Sequence, residues 1–309
     1  MTPVEGTGPD TNSAPHTPVM LAETLHFLNV RAGGRYIDCT VGAGGHAAAI
    51  LEASAPDGRL LGIDADPDAL AAAEERLAPY AGRFVLKQGY FDRAATFAAE
   101  ADIVPADGLL CDLGISSLQL DNPGRGFSFR GDGPLDMRFG PQAELTAADI
   151  VNEYSQEELA RILYEYGDER RSRRIARAIV ERRPLHSTLD LAKAVEQVAG
   201  KGRKSIPFSR VHPATKTFLA LRLAVNQELR HLSDLLALAR GLLGFGSRLV
   251  VLSFHSLEDR IVKNFLREHS HGEDASFRRL TKKVVRPQAD EVQRNPRSRS
   301  ARLRAAETL

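Results

Sequence analysis

Cysteine is almost absent: Cys39 and Cys111 are the only two in 309 residues. That excludes a disulfide-stapled scaffold, and no C-x-x-C pair offers zinc-ligand spacing. Both read as buried small hydrophobes near the ends of neighbouring central strands, in a reducing compartment where disulfides are rare. No apolar run approaches the roughly 18–20 residues of a membrane span. The N-terminus shows neither the basic nor the apolar region of a secretory leader. A cytoplasmic protein is therefore expected. Hydrophobic residues at 43% and charged residues at 26% are ordinary for a globular chain, long enough for one large domain or two.

Net charge is also nearly absent, at +1, but the two halves differ. Residues 1–150 hold 10 Lys/Arg against 21 Asp/Glu, a net −11; residues 151–309 hold 31 against 19, a net +12. A segregated positive half suits a polyanion such as nucleic acid, and it equally suits a set of solvated helix faces.

What is present centres on Tyr36–His46, with glycines at 42, 44 and 45. It reads as a strand, a glycine turn and the start of an alanine-rich helix running to Ala53. Glycines let a ligand lie against bare backbone, and a helix start offers unpaired N–H groups. Such units bind nucleotide-type cofactors in doubly wound α/β folds. Gly42 to Ala47 fits the dinucleotide fingerprint G-x-G-x-x-G/A, a weak signal alone. Asp38 argues for another cofactor: it would repel a pyrophosphate but welcome a sulfonium and an α-amino group. The stretch resembles the cofactor loop of class I S-adenosylmethionine (SAM) methyltransferases.

Along the chain, residues 1–15 read as a disordered tail. Strands are expected at Arg35–Cys39, Arg59–Ile63, Arg83–Leu86, Asp107–Cys111 and Arg248–Ser253. Asp64 ends the second strand, 22 residues after Gly42, placed to accept both ribose hydroxyls of SAM or NAD. Asp66-Pro67 is the better helix opening, which leaves Asp64 free. Phe91, after the third strand, can cover an adenine or belong to the core. Asp112 ends the fourth strand, where it can line an active site or cap a turn. Asp121–Phe139 is a long polar loop whose Arg125, Phe127, Phe129 and Arg130 suit base stacking and phosphate contact.

From Thr146 to about Ala199 the pattern is helical, with a capping box at Ser155/Glu158 and a dense cluster at Arg170, Arg171, Arg173 and Arg174. This block interrupts the α/β alternation as an inserted helical domain between the fourth and fifth strands. Lys201-Gly202-Arg203-Lys204 reads as a basic flexible link. A long helix is expected from His212 to about Leu232, continued by Ser233–Leu242. After the fifth strand, Ser256 and Asp259 form the expected capping box, leaving Phe254 and His255 unexplained over the site. Phe277–Val285 and Ser300–Ala306 read as closing strands of the kind that ends class I methyltransferases and that a dinucleotide domain lacks.

Five stretches in this order carry a specific resemblance: HTPVML (16–21), IDCTVGAGGH (37–46), DLGISSLQLD (112–121), RGFSFRGDGPLDMR (125–138) and SFHSLEDRIVK (253–263). HPATKTFLALRLAVNQEL (212–229) and NPRSRSARLR (295–304) fit as well. From His16 onward the chain resembles the bacterial 16S rRNA cytosine-N4 methyltransferase family of the MraW type. One departure is Leu118, where that family often has proline. The resemblance implies a class I α/β fold with a helical insert and SAM as donor. It also implies methylation of a cytidine N4 amine in the decoding region of 16S rRNA, within the small ribosomal subunit. Carried over by motif, the cofactor residues are Gly44, Gly45, His46, Asp64, Phe91, Asp112 and Gln119. Asp112, Phe254 and His255 are the catalytic candidates, and no metal ligand set is visible. The implied organisation is a tail at 1–15, a methyltransferase domain at 16–120 and 213–309, and an RNA-binding loop and insert at 121–212.

Alternatives remain open at this level: an RNA-binding assembly factor that keeps a SAM fold, a DNA or small-molecule methyltransferase, or a NAD oxidoreductase. The Asn/Asp-Pro-Pro-aromatic signature of common amino-methylases is missing after the fourth strand, where Asp-Leu-Gly-Ile-Ser-Ser stands instead.

Overall fold

The computed structural model describes residues 18–199 and 212–309. The expected tail and the Lys201–Lys204 link lie outside the described residues. In chain order the elements begin α1 (Leu21–Leu28), β1 (Arg35–Asp38), α2 (Gly45–Ala53), β2 (Arg59–Asp64), α3 (Pro67–Leu77), β3 (Phe84–Gln88), α4 (Ala94–Glu100), β4 (Ala106–Asp112) and α5 (Ser117–Asp121). A helical run follows: α6 (Ala147–Glu153), α7 (Gln156–Glu165), α8 (Ser172–Val180), α9 (Thr188–Ala199), α10 (Thr215–Val225) and α11 (Glu228–Leu242). The chain closes with β5 (Leu243–Ser253), α12 (Ser256–Glu268), β6 (Phe277–Arg279), α13 (Ala289–Arg294) and β7 (Arg302–Thr308).

The seven strands lie in the order β3-β2-β1-β4-β5-β7-β6. The first five are parallel, and β7 runs antiparallel between β5 and β6. This is the class I methyltransferase arrangement. Leu60, Leu61, Ile63, Leu109, Leu110, Val250, Val251 and Leu252 are all buried, because helices cover both faces of a parallel sheet. The order reverses between β1 and β4, so a crevice opens beyond the carboxyl ends of those two strands.

The helical insert has its own core, including Phe127, Leu159, Leu163, Ile175, Ile179 and Leu191. Phe218, Leu221 and Val225 of α10 belong to it too, so the insert's packing extends past residue 212. No helix among the described residues is long and apolar enough to cross a membrane.

Three local expectations change. The helix expected from His212 to Leu232 is two helices. Gln227 takes a left-handed φ of 48° between them, and Asn226 turns its side chain onto the backbone of the 137–139 segment. The cap of α12 is His255 rather than Ser256. Its Nδ1 accepts the Glu258 N–H at 3.4 Å, and Glu258 Oε2 accepts the N–H groups of His255 and Phe254 at 3.2 and 2.8 Å. Asp259 is engaged elsewhere, accepting from Arg304 at 2.6 Å.

The third change concerns the 121–139 loop, which does not present its aromatics for stacking on a base. Phe127 is buried and stacks on Phe139, and Phe129 stacks on His212 with centroids 4.4 Å apart. Arg125 turns inward to Asp66 at 2.8 Å and to the carbonyls of Arg138 and Phe139. The apolar residues in this polar-looking loop are there to close the insert's core, which outweighs their availability to solvent.

Candidate cofactor and active-site cleft

The turn after β1 builds the floor of the cleft. Gly44 caps α2 with a φ of 77°, and a Cβ there would stand 3.3 Å from Ala73 Cα. Gly45 has a second constraint: a Cβ would lie 2.6 Å from Pro18 Cγ. The N-terminal segment therefore folds directly over the glycine turn. His46 fixes it there, with Nε2 donating to the Val19 carbonyl at 3.0 Å. The other ring nitrogen faces Asp112 Oδ2 at 3.6 Å.

Three strand ends bring three carboxyls together. Asp64, at the end of β2, accepts the N–H of Gly42 and of Asp66, each at 2.9 Å. As expected, Asp66 and not Asp64 caps α3, with Pro67 following. Asp38, at the end of β1, is buried and accepts the Thr40 N–H at 3.2 Å. Asp112 is held through its own N–H, which donates to Thr40 Oγ1 at 2.7 Å. Burial is the chief cause of high pKa values here, because it penalises the charged form. It pushes Asp38 up to about 7 and Asp64 up to about 6. Asp112 is raised well above the usual carboxylate range, first by burial and then by Asp38 and Glu258.

Two of these oxygens, Asp38 Oδ2 and Asp112 Oδ1, are sealed from solvent with no hydrogen-bond partner among the described residues. Unpaired buried carboxylate oxygens are costly unless a donor or cation completes them. This donor set fits SAM: Asp64 for ribose hydroxyls and Asp112 for its cationic end line the cleft beside the Gly42–Gly45 turn, and Asp38 adds its charge from behind the lining.

The cleft walls are lined by Tyr90, Phe91, Gly114, Phe139, Asn226, Glu228, His231 and Phe254. Tyr90 stacks on His231 at 4.4 Å, while Phe91 both reaches the cleft and packs on the sheet core. Of the residues expected from sequence, Gly45, His46, Asp64, Phe91, Asp112, Gln119 and Phe254 line one cleft. Gly44 stands behind the turn. His255 stands behind the wall, and its Nε2 lies 3.0 Å from Glu258 Oε1. Burial acts to raise the Glu258 pKa, but His255, Arg222 and the Phe254 N–H bring it below the usual glutamate value. Gln119 is committed at both ends of its amide, accepting from Ser116 N–H at 3.0 Å and donating to Asp66 at 2.8 Å.

Sequence reasoning missed Asn226, Glu228 and Arg297. Asn226 and Glu228 lie inside the HPATKTFLALRLAVNQEL motif and Arg297 inside NPRSRSARLR, so the signal was present without a role attached. Arg297 reaches across the cleft mouth to Ser117 and to Asp121, the latter at 2.6 Å. The fold also brings Asp92 beside His231 and Asp234, which are three residues apart on α11. Arg230 lies 3.7 Å from Asp234, so one carboxylate there already has a cation beside it.

The family model of the MraW methylase family matches residues 13–309. The chain belongs to the MraW methylase family. Ribosomal RNA small subunit methyltransferase H of Thermomicrobium roseum is 51% identical over 316 residues, covering 97% of this chain and 95% of the relative. The protein of the same name from Dehalococcoides mccartyi is 49% identical over 308 residues, covering 96% and 87%. Among solved structures, a putative rRNA-methylase from Clostridium thermocellum aligns with 95% of this chain and 100% of its own, at 12% identity and a TM-score of 0.48. The methyl donor of this methylase is SAM.

Proposed function

We propose that this methylase transfers a methyl group from SAM to the exocyclic N4 amine of a cytidine in the decoding region of 16S rRNA, within the small ribosomal subunit. The observation that carries the reading is Asp112: a recessed carboxyl at the end of β4, with one orphaned oxygen, in the same cleft as Phe254. Family membership and the names of the relatives support the RNA substrate, and the +12 half of the chain supports a polyanionic partner.

Bound in the cleft, SAM supplies a methyl carbon made electrophilic by its sulfonium sulfur. A cytosine amine is a poor nucleophile because its lone pair is delocalised into the ring. Accepting a hydrogen bond from the N4–H helps that nitrogen pyramidalise, and holding it in line supplies much of the remaining advantage. Asp112 has the acceptor for this. As the carboxylate it can also take the proton that the methylated amine must lose. Of the two aromatic candidates offered by the sequence, Phe254 lines the cleft while the 127–129 loop is turned inward, so Phe254 stacks the base, with the target nucleotide unstacked to reach it. Glu258 positions Phe254 by accepting its N–H, His255 caps the same helix, and neither lines the cleft.

The test is transfer of tritium from labelled SAM to small subunits prepared without this activity, followed by nucleoside digestion. Label in N4-methylcytidine is the expected result; label in another nucleoside overturns the acceptor. Asp112→Asn should lower turnover about 100-fold or more, with a separate loss of SAM affinity read by calorimetry. Full turnover together with unchanged SAM affinity would remove Asp112 from both roles.

A further inference from the structure

The helical insert carries a second concavity that shares no lining residue with the cleft. It lies between the outer face of α7 and the start of α8, lined by Gln156, Glu157, Ala160, Arg161, Tyr164 and residues 170–174. Its chemistry is one-sided, with five arginines (Arg161, Arg170, Arg171, Arg173 and Arg174) against the single carboxylate of Glu157. None of the five guanidinium groups has an ion pair among the described residues. Of the neighbouring acids, Glu157 lines the groove and Glu158 is held in the capping box of α7, within the field of Arg161. Glu169 accepts the Arg171 backbone N–H at 2.8 Å, and Asp168 lies 3.9 Å from Lys216.

Folding alone does not favour this arrangement. α8 starts at Arg171 with no side-chain cap and no acid in its first turn. Arginines there add positive charge to the positive end of the helix macrodipole, and the Glu169 carboxylate on the Arg171 N–H offsets only part of it. Among them stands Tyr164, 62% exposed, the most exposed aromatic among the described residues of the insert. An aromatic face beside planar guanidinium groups is what an unpaired base with flanking phosphates requires, and a paired base offers no free face to it.

We propose that this α7–α8 groove is a second RNA-docking site, in which Tyr164 stacks on an unpaired base of the substrate and the arginines hold the adjoining phosphates. It rests on the rRNA reading of the cleft. Docking here adds affinity for the RNA without touching the reacting atoms.

The experiment measures kcat and KM for small ribosomal subunits, with SAM affinity measured separately, in wild type, Tyr164→Ala, Tyr164→Phe and the Arg170→Gln/Arg174→Gln double variant. Tyr164→Ala should raise KM about tenfold with kcat at saturation and SAM affinity unchanged, and Tyr164→Phe should restore KM. The double variant should flatten the log–log salt dependence of binding by about 1.4, two single-strand phosphate contacts. Unchanged KM and salt slope in active variants would overturn the groove and leave the cleft reading standing. Wild type that transfers no methyl to small subunits would overturn the cleft reading and, with it, the ribosomal identity of the groove's ligand. Docking of a ribosomal protein in place of RNA would show as a KM effect on subunits with no change in binding to the protein-free rRNA fragment, and that outcome too overturns the proposal.

Discussion

At the scale of single residues, the cleft is organised by carboxyls that the fold holds at a disadvantage. Asp38 is the clearest case, buried, with one oxygen unpartnered and a pKa pushed up to about 7 by burial. An unfolded aspartate titrates near ~3.9. Between those values the folded state binds more protons than the unfolded one. Stability from this group is therefore full below about 4 and is lost as pH rises through about 7. Asp64, at about 6, acts in the same direction. Asp38→Asn keeps an oxygen for the Thr40 N–H and removes the buried charge. It should stabilise the cofactor-free protein at pH 8 by about 1–3 kcal/mol, an advantage that vanishes near pH 4. The same variant should bind SAM at least about tenfold more weakly. Wild-type binding of SAM should release protons near pH 7, since a cation favours the charged carboxylate. Urea unfolding at the two pH values and calorimetry in buffers of different ionisation enthalpy check both halves. Equal stability of variant and wild type at pH 8 would mean that the Asp38 charge is compensated.

At the scale of elements, Asn226 joins parts that are far apart in sequence. It sits at the break between α10 and α11 and is almost wholly buried. Its Oδ1 accepts the Phe139 N–H at 2.7 Å and the Tyr90 hydroxyl at 3.3 Å, while Nδ2 donates to Met137 and Arg222 carbonyls. Beside it Arg222 and Glu228 form a buried, two-pronged ion pair across the same break, at 2.8 and 3.0 Å. Asn226→Ala strands several buried polar groups and should cost about 2–4 kcal/mol of stability. Because Tyr90 and Phe139 line the cleft, SAM affinity should fall with it; a stability loss with unchanged SAM binding would separate the two. This junction also marks the limit of what the sequence discloses. The strand–glycine–helix unit, Asp64 after β2 and the capping box of α7 are local patterns, and each stands where reading predicts it. The break at Gln227 is set by side chains meeting from residue 137 onward, which periodicity does not encode. The inward turn of Arg125 has the same origin, since its partner Asp66 is remote in sequence. The His255 cap escaped because a ring nitrogen replaced the usual hydroxyl or carboxylate one residue early. Among the cleft residues, those on strand ends were legible, while Asn226, Glu228 and Arg297 arrive from helices and a C-terminal turn that only the tertiary fold brings in.

At the scale of the whole molecule, the packing divides the chain into two parts that SAM should affect unequally. The apolar core of the insert is separate from the clusters on the two faces of the sheet. The parts meet through polar ties, Asn226 and the Arg125–Asp66 pair among them. Every carboxyl argued to hold the cofactor stands on β1, β2 or β4. Binding free energy therefore enters the sheet part first. At 100 times its Kd, SAM should stabilise what it binds by about 2.7 kcal/mol, a factor of about 100 in the opening equilibrium. Hydrogen exchange should then slow by up to that factor in β1, β2 and β4, and change little in α7, α8 and α9, if the insert opens as its own unit. NAD at the same concentration should slow neither part. Equal slowing in both parts would show that Asn226 and its neighbours couple sheet and insert into one cooperative unit, and that RNA gripped by the insert is felt directly at the cleft. Slowing in neither part would mean that the carboxyls at the strand ends hold something other than SAM.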